Sequence, residues 1–186
     1  MLVLASASPR RQELLRNAGI RFRVEAANLP EVPQPGELPR NFAERMAREK
    51  TLAIFGNNAR DIVLGADTVV VVEEQILGKP PDADDARRML RLLSGRSHLV
   101  ITGVCLAGQG FDDVRSETTL VTMEQLSDPD IDFYTSTGEP MDKAGAYAIQ
   151  GIASRWISRI EGDYSNVVGL PVTLVWRMLR EHGVAL

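Results

Sequence analysis

The run Ile62–Val72 reads IVLGADTVVVV, rich in β-branched residues and fitted to a strand buried within a sheet. It is too short to cross a bilayer. Asp67 interrupts it, with Thr68 directly after. A carboxylate in so apolar a strand is desolvated, which is costly unless the charge is paired or holds a metal ion. A structural ion pair accounts for such an acid, and so does a functional role. The second polar group, Thr68, favours function.

The rest of the chain supplies elements to cover that strand. Leu2–Ala5 predicts a short buried strand. Ser8 reads as a helix N-cap and Pro9 as the first helical position, with Leu14, Leu15 and Ala18 on the apolar face and Gly19 as the stop. Ile20, Phe22 and Val24 alternate as a second strand. Asn28–Pro39 carries four prolines and predicts a loop. Asn41–Phe55 is periodic as a helix. Gly65–Val72 is strand, Glu73-Glu74-Gln75 a hairpin turn before Ile76-Leu77, and Asp82 caps a helix that Gly95 ends. Ser97–Ala107 and Phe111–Met123 read as long strands joined at Gly108-Gln109-Gly110, and Asp128–Ser136 as a short helix. Trp156–Ile160 and Tyr164–Val168 predict a hairpin around Glu161-Gly162-Asp163, before a closing helix Pro171–His182. The sum is a mixed α/β (α+β) fold: a mixed sheet flanked by helices, in one two-lobed domain spanning residues 1–186.

Composition narrows the chemistry. Lys plus Arg is 21 against 25 Asp plus Glu, a net charge of -4 that excludes bulk electrostatic binding to nucleic acid or an anionic membrane. The single cysteine, Cys105, lies in the apolar run Val100–Ala107 and reads as a core residue. Trp156, Trp176 and the five phenylalanines also read as core. Two histidines, His98 and His182, leave little room for a zinc site or a serine–histidine triad. Chemistry must then rest on carboxylates, lysines, arginines and hydroxyls, and a metal would be a hard cation on oxygen ligands. The first residues lack a basic leader and a long apolar stretch, so a cytoplasmic location is expected.

Several cations and small residues stand in odd places. Ser6-Ala7-Ser8-Pro9-Arg10-Arg11 opens a helix with two arginines that oppose the helix dipole. A phosphate at that helix start explains them; so does a solvated surface helix. Lys50 falls near the middle of the apolar stripe formed by Ala43, Met46, Ala47, Ala53 and Ile54, and either snorkels outward or reaches into a polar cavity. Gly78-Lys79-Pro80 holds a lysine in a tight turn but is not a P-loop. Glu139–Gly151 is rich in glycine and alanine, allowing close backbone approach to a ligand, and Gln150 in it can donate and accept at once, as an amide or base edge requires.

In order along the chain, Ala5-Ser6-Ala7-Ser8-Pro9-Arg10-Arg11-Gln12-Glu13-Leu14-Leu15, Ala47-Arg48-Glu49-Lys50, Gly65-Ala66-Asp67-Thr68-Val69-Val70, Gly78-Lys79-Pro80, Leu93-Ser94-Gly95-Arg96-Ser97-His98, Glu139–Gly151 and Val168-Gly169-Leu170-Pro171 resemble the Maf family, the septum-formation inhibitor or nucleotide pyrophosphatase group. The resemblance implies a cytoplasmic hydrolase that cleaves nucleoside triphosphates to monophosphate and pyrophosphate with a divalent metal, Mg²⁺ or Mn²⁺. It implies a fold like that of inosine triphosphate pyrophosphatases, a long mixed sheet with helices around a deep cleft, often as a homodimer. By family position Asp67 is the general base. Arg10, Thr68 and Gln150 stand at selectivity positions and are similar to the dTTP/UTP branch. Ser8, Arg11, Lys50 and Lys79 are the expected phosphate-binding groups, and Asp67 with Glu31 the expected metal ligands. In the loop that usually carries an acidic cluster, this chain has Asn28 and Pro30, leaving Glu31. The alternatives are a 7-methyl-GTP pyrophosphatase and a nucleotide-binding regulator of septum formation that does not hydrolyse.

Overall fold

The computed structural model describes residues 1–58 and 60–184. The fold class is the expected mixed α/β. Strands β1 (Leu2–Leu4), β2 (Arg23–Val24), β3 (Ile62–Val72), β4 (Gln75–Leu77), β5 (Ser97–Gly108), β6 (Phe111–Met123) and β7 (Ile157–Glu161) form one seven-stranded sheet in the order β2-β1-β3-β5-β6-β7, with β4 on β3. β1 runs parallel to β2 and β3, with Val3 opposite Arg23 and Val63. β3 with β4 and β6 with β7 are antiparallel pairs. The helices are α1 (Pro9–Asn17), α2 (Pro39–Phe55), α3 (Ala83–Leu93), α4 (Asp128–Ser136), α5 (Tyr164–Val168) and α6 (Val172–Glu181).

The chain forms two compact units. The first holds residues 1–68, 102–117 and 169 onward; the second holds 69–101 and 118–168. In the first, strand alternation sorts two small cores. Leu2, Leu4, Leu64 and Ala66 face one side with Leu15 of α1 and Leu174, Val175 and Met178 of α6. Val3, Ala5 and Val63 face the other with Ile54 of α2. Two glycines let α2 lie hard against the sheet. A methyl group on Gly65 would fall on the Thr51 hydroxyl and 2.7 Å from the Ala47 carbonyl, and one on Gly103 would meet the backbone of Ala43 and Glu44. Cys105 is buried in this unit, and burial pushes its thiol up to about 11, as an inert core residue requires.

In the second unit α3 is amphipathic, with Ala86, Met89, Leu90 and Leu93 buried and Asp82 accepting from the Asp85 amide as N-cap. The β3–β4 turn puts Glu73 and Glu74 at φ 48° and 65°, the left-handed pair that a two-residue hairpin uses. Glu139–Asp142, Ala144–Ala146 and Ile152–Trp156 are short 3₁₀ turns, so Trp156 ends such a turn and the strand expected from it runs Ile157–Glu161 instead. No helix among the described residues is long and apolar enough to cross a membrane.

Several expectations are corrected. Tyr164–Val168 is helix α5, not a strand: the Asp163 carboxylate accepts from the Ser165 and Asn166 amides and starts a helical turn where a hairpin was expected. Ser8 occupies the N-cap position of α1, but its side chain makes no capping bond; its amide donates to Ser6 Oγ instead. The second strand shrinks to two residues, and α2 begins at Pro39, whose fixed φ suits a helix start. Trp156 is buried as expected, but Trp176 and Phe133 are exposed, each beneath an arginine, Arg180 and Arg155.

Candidate active site

Period-two geometry sends neighbouring strand residues to opposite faces, and β3 uses this at Asp67 and Thr68. Asp67 shares the face of Val63 and Gly65, toward α2. Thr68 shares the face of Leu64 and Ala66, toward α1. The close seat of α2 on Gly65 brings Lys50 over the strand. Lys50, 6% exposed, donates to Asp67 Oδ1 at 2.6 Å. The same ammonium donates to Glu31 Oε1 at 2.6 Å. Of the two readings of Lys50, the structure realises the inward one. The proline-rich loop, read as irregular, delivers Glu31 to the same point.

Asp67 is 4% exposed, and burial raises its carboxyl above the usual carboxylate range, with Lys50 and Arg11 pulling the other way and Glu31 adding to the rise. The pair is a buried ion pair with a second acid at its rim, since Glu31 is exposed.

Arg11 works on the other face. Its Nε donates to Gly169 O at 2.8 Å, Nη1 to Ala66 O at 2.8 Å and Ser6 Oγ at 3.1 Å, and Nη2 to Thr68 Oγ1 at 3.1 Å. Four donor contacts thus tie the start of α1 to β3 and to the segment before α6. Burial pushes its guanidinium down, though Asp67 and Glu31 oppose that, and an arginine stays charged regardless. Thr68 Oγ1 also meets Thr102 Oγ1 at 2.9 Å and donates to Gly169 O at 3.3 Å. One proton and two lone pairs are matched by three partners. Gly169 itself has φ +128°, which glycine alone adopts freely. Arg10 and Ser8, near the start of α1, are half-buried.

Lys79 and Gln150 belong to the second unit and are both exposed. The Gly145 amide donates to Gly78 O at 3.0 Å, linking the lysine turn to the segment that carries Gln150. The structure therefore joins Glu31, Lys50 and Asp67 directly, engages Arg11 with Thr68, and sets Lys79 and Gln150 on two bonded loops.

The family model described as "Maf-like protein" matches residues 1–182. The chain belongs to the Maf family. Among its curated Maf relatives, a protein named "dTTP/UTP pyrophosphatase" from Koribacter versatilis is 56% identical over 183 residues, 98% of this chain and 95% of the relative. A second of that name, from Syntrophomonas wolfei, is 52% identical over 182 residues, 97% and 96% of the two chains. Among solved structures, the Staphylococcus aureus Ham1 protein aligns with a TM-score of 0.51 at 13% identity, covering 97% of this chain and 98% of that one, which speaks to the shared fold.

Sequence reasoning missed several parts of this Maf site. Thr102 opposite Thr68 gave no local signal, because a threonine in a β-rich run is ordinary. Gly65 did carry one: a glycine inside a β-branched strand marks a close backbone approach. Among the described residues no group of three His, Cys, Asp or Glu is placed to hold a metal ion. Two converging carboxylates, Asp67 and Glu31, are what a Mg²⁺-type ion takes from protein when phosphate oxygens and water complete its shell. In donor chemistry, then, the residues present fit such an ion.

Proposed function

We propose that this chain is a dTTP/UTP pyrophosphatase, converting the triphosphate and water to the monophosphate and pyrophosphate, and that it works as one catalytic domain over residues 1–186. The observation that carries the proposal is the buried Asp67 carboxylate gripped by Lys50 with Glu31 beside it, in a chain more than half identical to enzymes of that name. A buried acid held beside a cation has no need to exist in a passive nucleotide binder, since burial alone disfavours it.

Asp67 orients the attacking water and accepts its proton; its raised affinity for protons suits a base. Lys50 keeps that carboxylate ionised and faces charge that develops on the phosphates. A Mg²⁺ or Mn²⁺ ion held by Asp67 and Glu31 would neutralise phosphate charge and favour departure of pyrophosphate. Arg11, with its donors spent on Ser6, Ala66, Thr68 and Gly169, holds the helix start and β3 in register, and only what remains of its charge faces phosphate. Ser8, Arg10 and Lys79 complete the phosphate and selectivity contacts, and Gln150 reads the pyrimidine edge through an amide that donates and accepts. Thr68, saturated by its protein partners, contributes to selectivity through the Arg11 network. A cytoplasmic location and a homodimeric assembly belong to the same reading.

Pyrophosphate release measured over dTTP, UTP, CTP, GTP, ATP and 7-methyl-GTP with Mg²⁺ or Mn²⁺ tests the proposal. The pyrimidine triphosphates dTTP and UTP should lead the panel. Asp67→Asn keeps the shape and removes the base, and should lower kcat on the order of 10²-fold or more while circular dichroism shows an unchanged fold. Near-normal turnover in that variant would overturn the assignment of Asp67.

A further inference from the structure

We infer that Tyr134 and Glu139 form a clamp that fixes the backbone on both sides of Gln150, and so act as positioning residues for base selectivity. The inference rests on the reading of Gln150 given above. Tyr134, on α4, is fully buried. Its hydroxyl donates to Glu139 Oε1 at 2.9 Å and accepts from the Ala148 amide at 3.2 Å. The Glu139 carboxylate in turn accepts from the Ile152 amide at 3.1 and 3.3 Å. Ala148 and Ile152 lie two residues before and two after Gln150. Between them the Gly151 amide donates to Ala148 O at 3.1 Å, so the clamp closes around a single tight turn.

Other features fit a purpose beyond stability. The carboxylate presses so close on Gly151 that a methyl group there would overlap it, with Oε2 only 2.7 Å away. A carboxylate spent on one backbone amide and one phenol is a dear way to hold an ordinary loop, since apolar packing would serve as well. Charge makes these bonds stronger and more directional than neutral ones, which matters when one exposed side chain must meet a base edge within a fraction of an ångström. Tyr147, three residues before Gln150, is held in turn by its hydroxyl on His98 Nε2 at 2.7 Å. Neither Tyr134 nor Glu139 is needed for the chemistry at Asp67. They act on the nucleotide through Gln150.

The test compares kcat and KM for UTP and GTP in wild type, Tyr134→Phe, Glu139→Ala, Glu139→Gln and Gln150→Ala, with thermal melting of each. Gln150→Ala and Tyr134→Phe should each lower the ratio of kcat/KM for UTP over GTP by roughly tenfold or more, the size expected when a placed hydrogen bond to a base is lost. The loss should fall on KM for UTP, with kcat within about threefold of wild type, because a selectivity contact is made in the ground state too. Glu139→Ala should behave like Tyr134→Phe, and Glu139→Gln, whose amide oxygen still receives both donors, should restore most of the ratio. If Tyr134→Phe does not fold, the two Glu139 variants carry the comparison. An unchanged ratio in the clamp variants, or an equal loss for both nucleotides, overturns the clamp when Gln150→Ala does collapse the ratio. An unchanged ratio in Gln150→Ala overturns the reading of Gln150 itself and the clamp's role with it.

Discussion

Asp67 stands between opposing pulls. Burial raises its carboxyl above the usual range, and the Lys50 ammonium is the strongest force opposing the rise. An acid whose proton affinity is higher in the folded than in the unfolded chain lowers stability when ionised. That penalty is complete above the folded value and fades as pH falls through it. With Asp67 as the base proposed above, activity runs the other way, because only the carboxylate can take a proton from water. The acid limb of a kcat/KM profile should therefore sit above the range of an ordinary carboxylate. Lys50→Met removes the largest opposing charge and should move that limb upward by roughly one pH unit or more. It should also destabilise the protein by about 3 kcal/mol near neutral pH, the usual result of stranding one member of a buried pair, and by less in acid, where Asp67 protonates. A profile that keeps its midpoint in Lys50→Met would show that Lys50 does not set the ionisation of Asp67.

At the level of elements, the meeting of Lys50 and Asp67 depends on how closely α2 sits on β3. Gly65 permits that approach: the strand has no side chain where the Thr51 hydroxyl and the Ala47 carbonyl lie. Gly65→Ala forces the helix away from the strand. It should destabilise the fold by about 1–3 kcal/mol, as overpacking generally does, and should lower kcat more than melting behaviour alone explains, since Lys50 rides on α2. Chemical denaturation and kcat on the folded enzyme separate the two effects. This contact also shows what the sequence could and could not reveal. Period-two alternation and the apolar run were enough to place β3 and to mark Asp67 as an acid needing a partner. The helical stripe was enough to put Lys50 on the inner face of α2, but its two readings, outward and inward, differ only by the presence of a partner, and that partner lies on another element. Glu31 was reached through family likeness, because a loop with four prolines has no periodicity from which to deduce its path. Asp163 misled for a local reason: Asp-Tyr-Ser-Asn after a glycine serves equally as the turn of a hairpin or the cap of a helix, and the cap won at α5. The Tyr134–Glu139 clamp was invisible because its backbone partners, Ala148 and Ile152, flank a turn next to short 3₁₀ pieces, where no periodicity marks the path of the chain.

Over the whole molecule the charge is -4, so a triphosphate is drawn in by local groups against an unfavourable overall field. Two carboxylates alone, both already bonded to Lys50, make a poor resting place for a divalent ion. A nucleotide alone meets those same carboxylates as like charges. Each ligand relieves the difficulty of the other, so their binding free energies should be coupled, and coupling is reciprocal. Melting temperature reports this for the entire chain, because a ligand that binds only the folded state stabilises it in proportion to its occupancy. Mn²⁺ at millimolar concentration should raise the melting temperature by little on its own. The α,β-imido analogue of UTP, which resists cleavage, should also raise it by little without metal. The two together should raise it by about 5 °C or more, since occupancy near a hundred times the dissociation constant supplies about 2.7 kcal/mol and a chain of this size gains roughly 2–4 °C per kcal/mol. Chelation should return the value to that of the free protein. Glu31→Gln weakens one of the two carboxylates without touching the buried pair's strand, so it should reduce the joint shift while leaving the melting temperature of the free protein nearly unchanged. A joint shift no larger than the sum of the two separate shifts would mean that metal and analogue bind independently, and would remove Asp67 and Glu31 from a site that the two share.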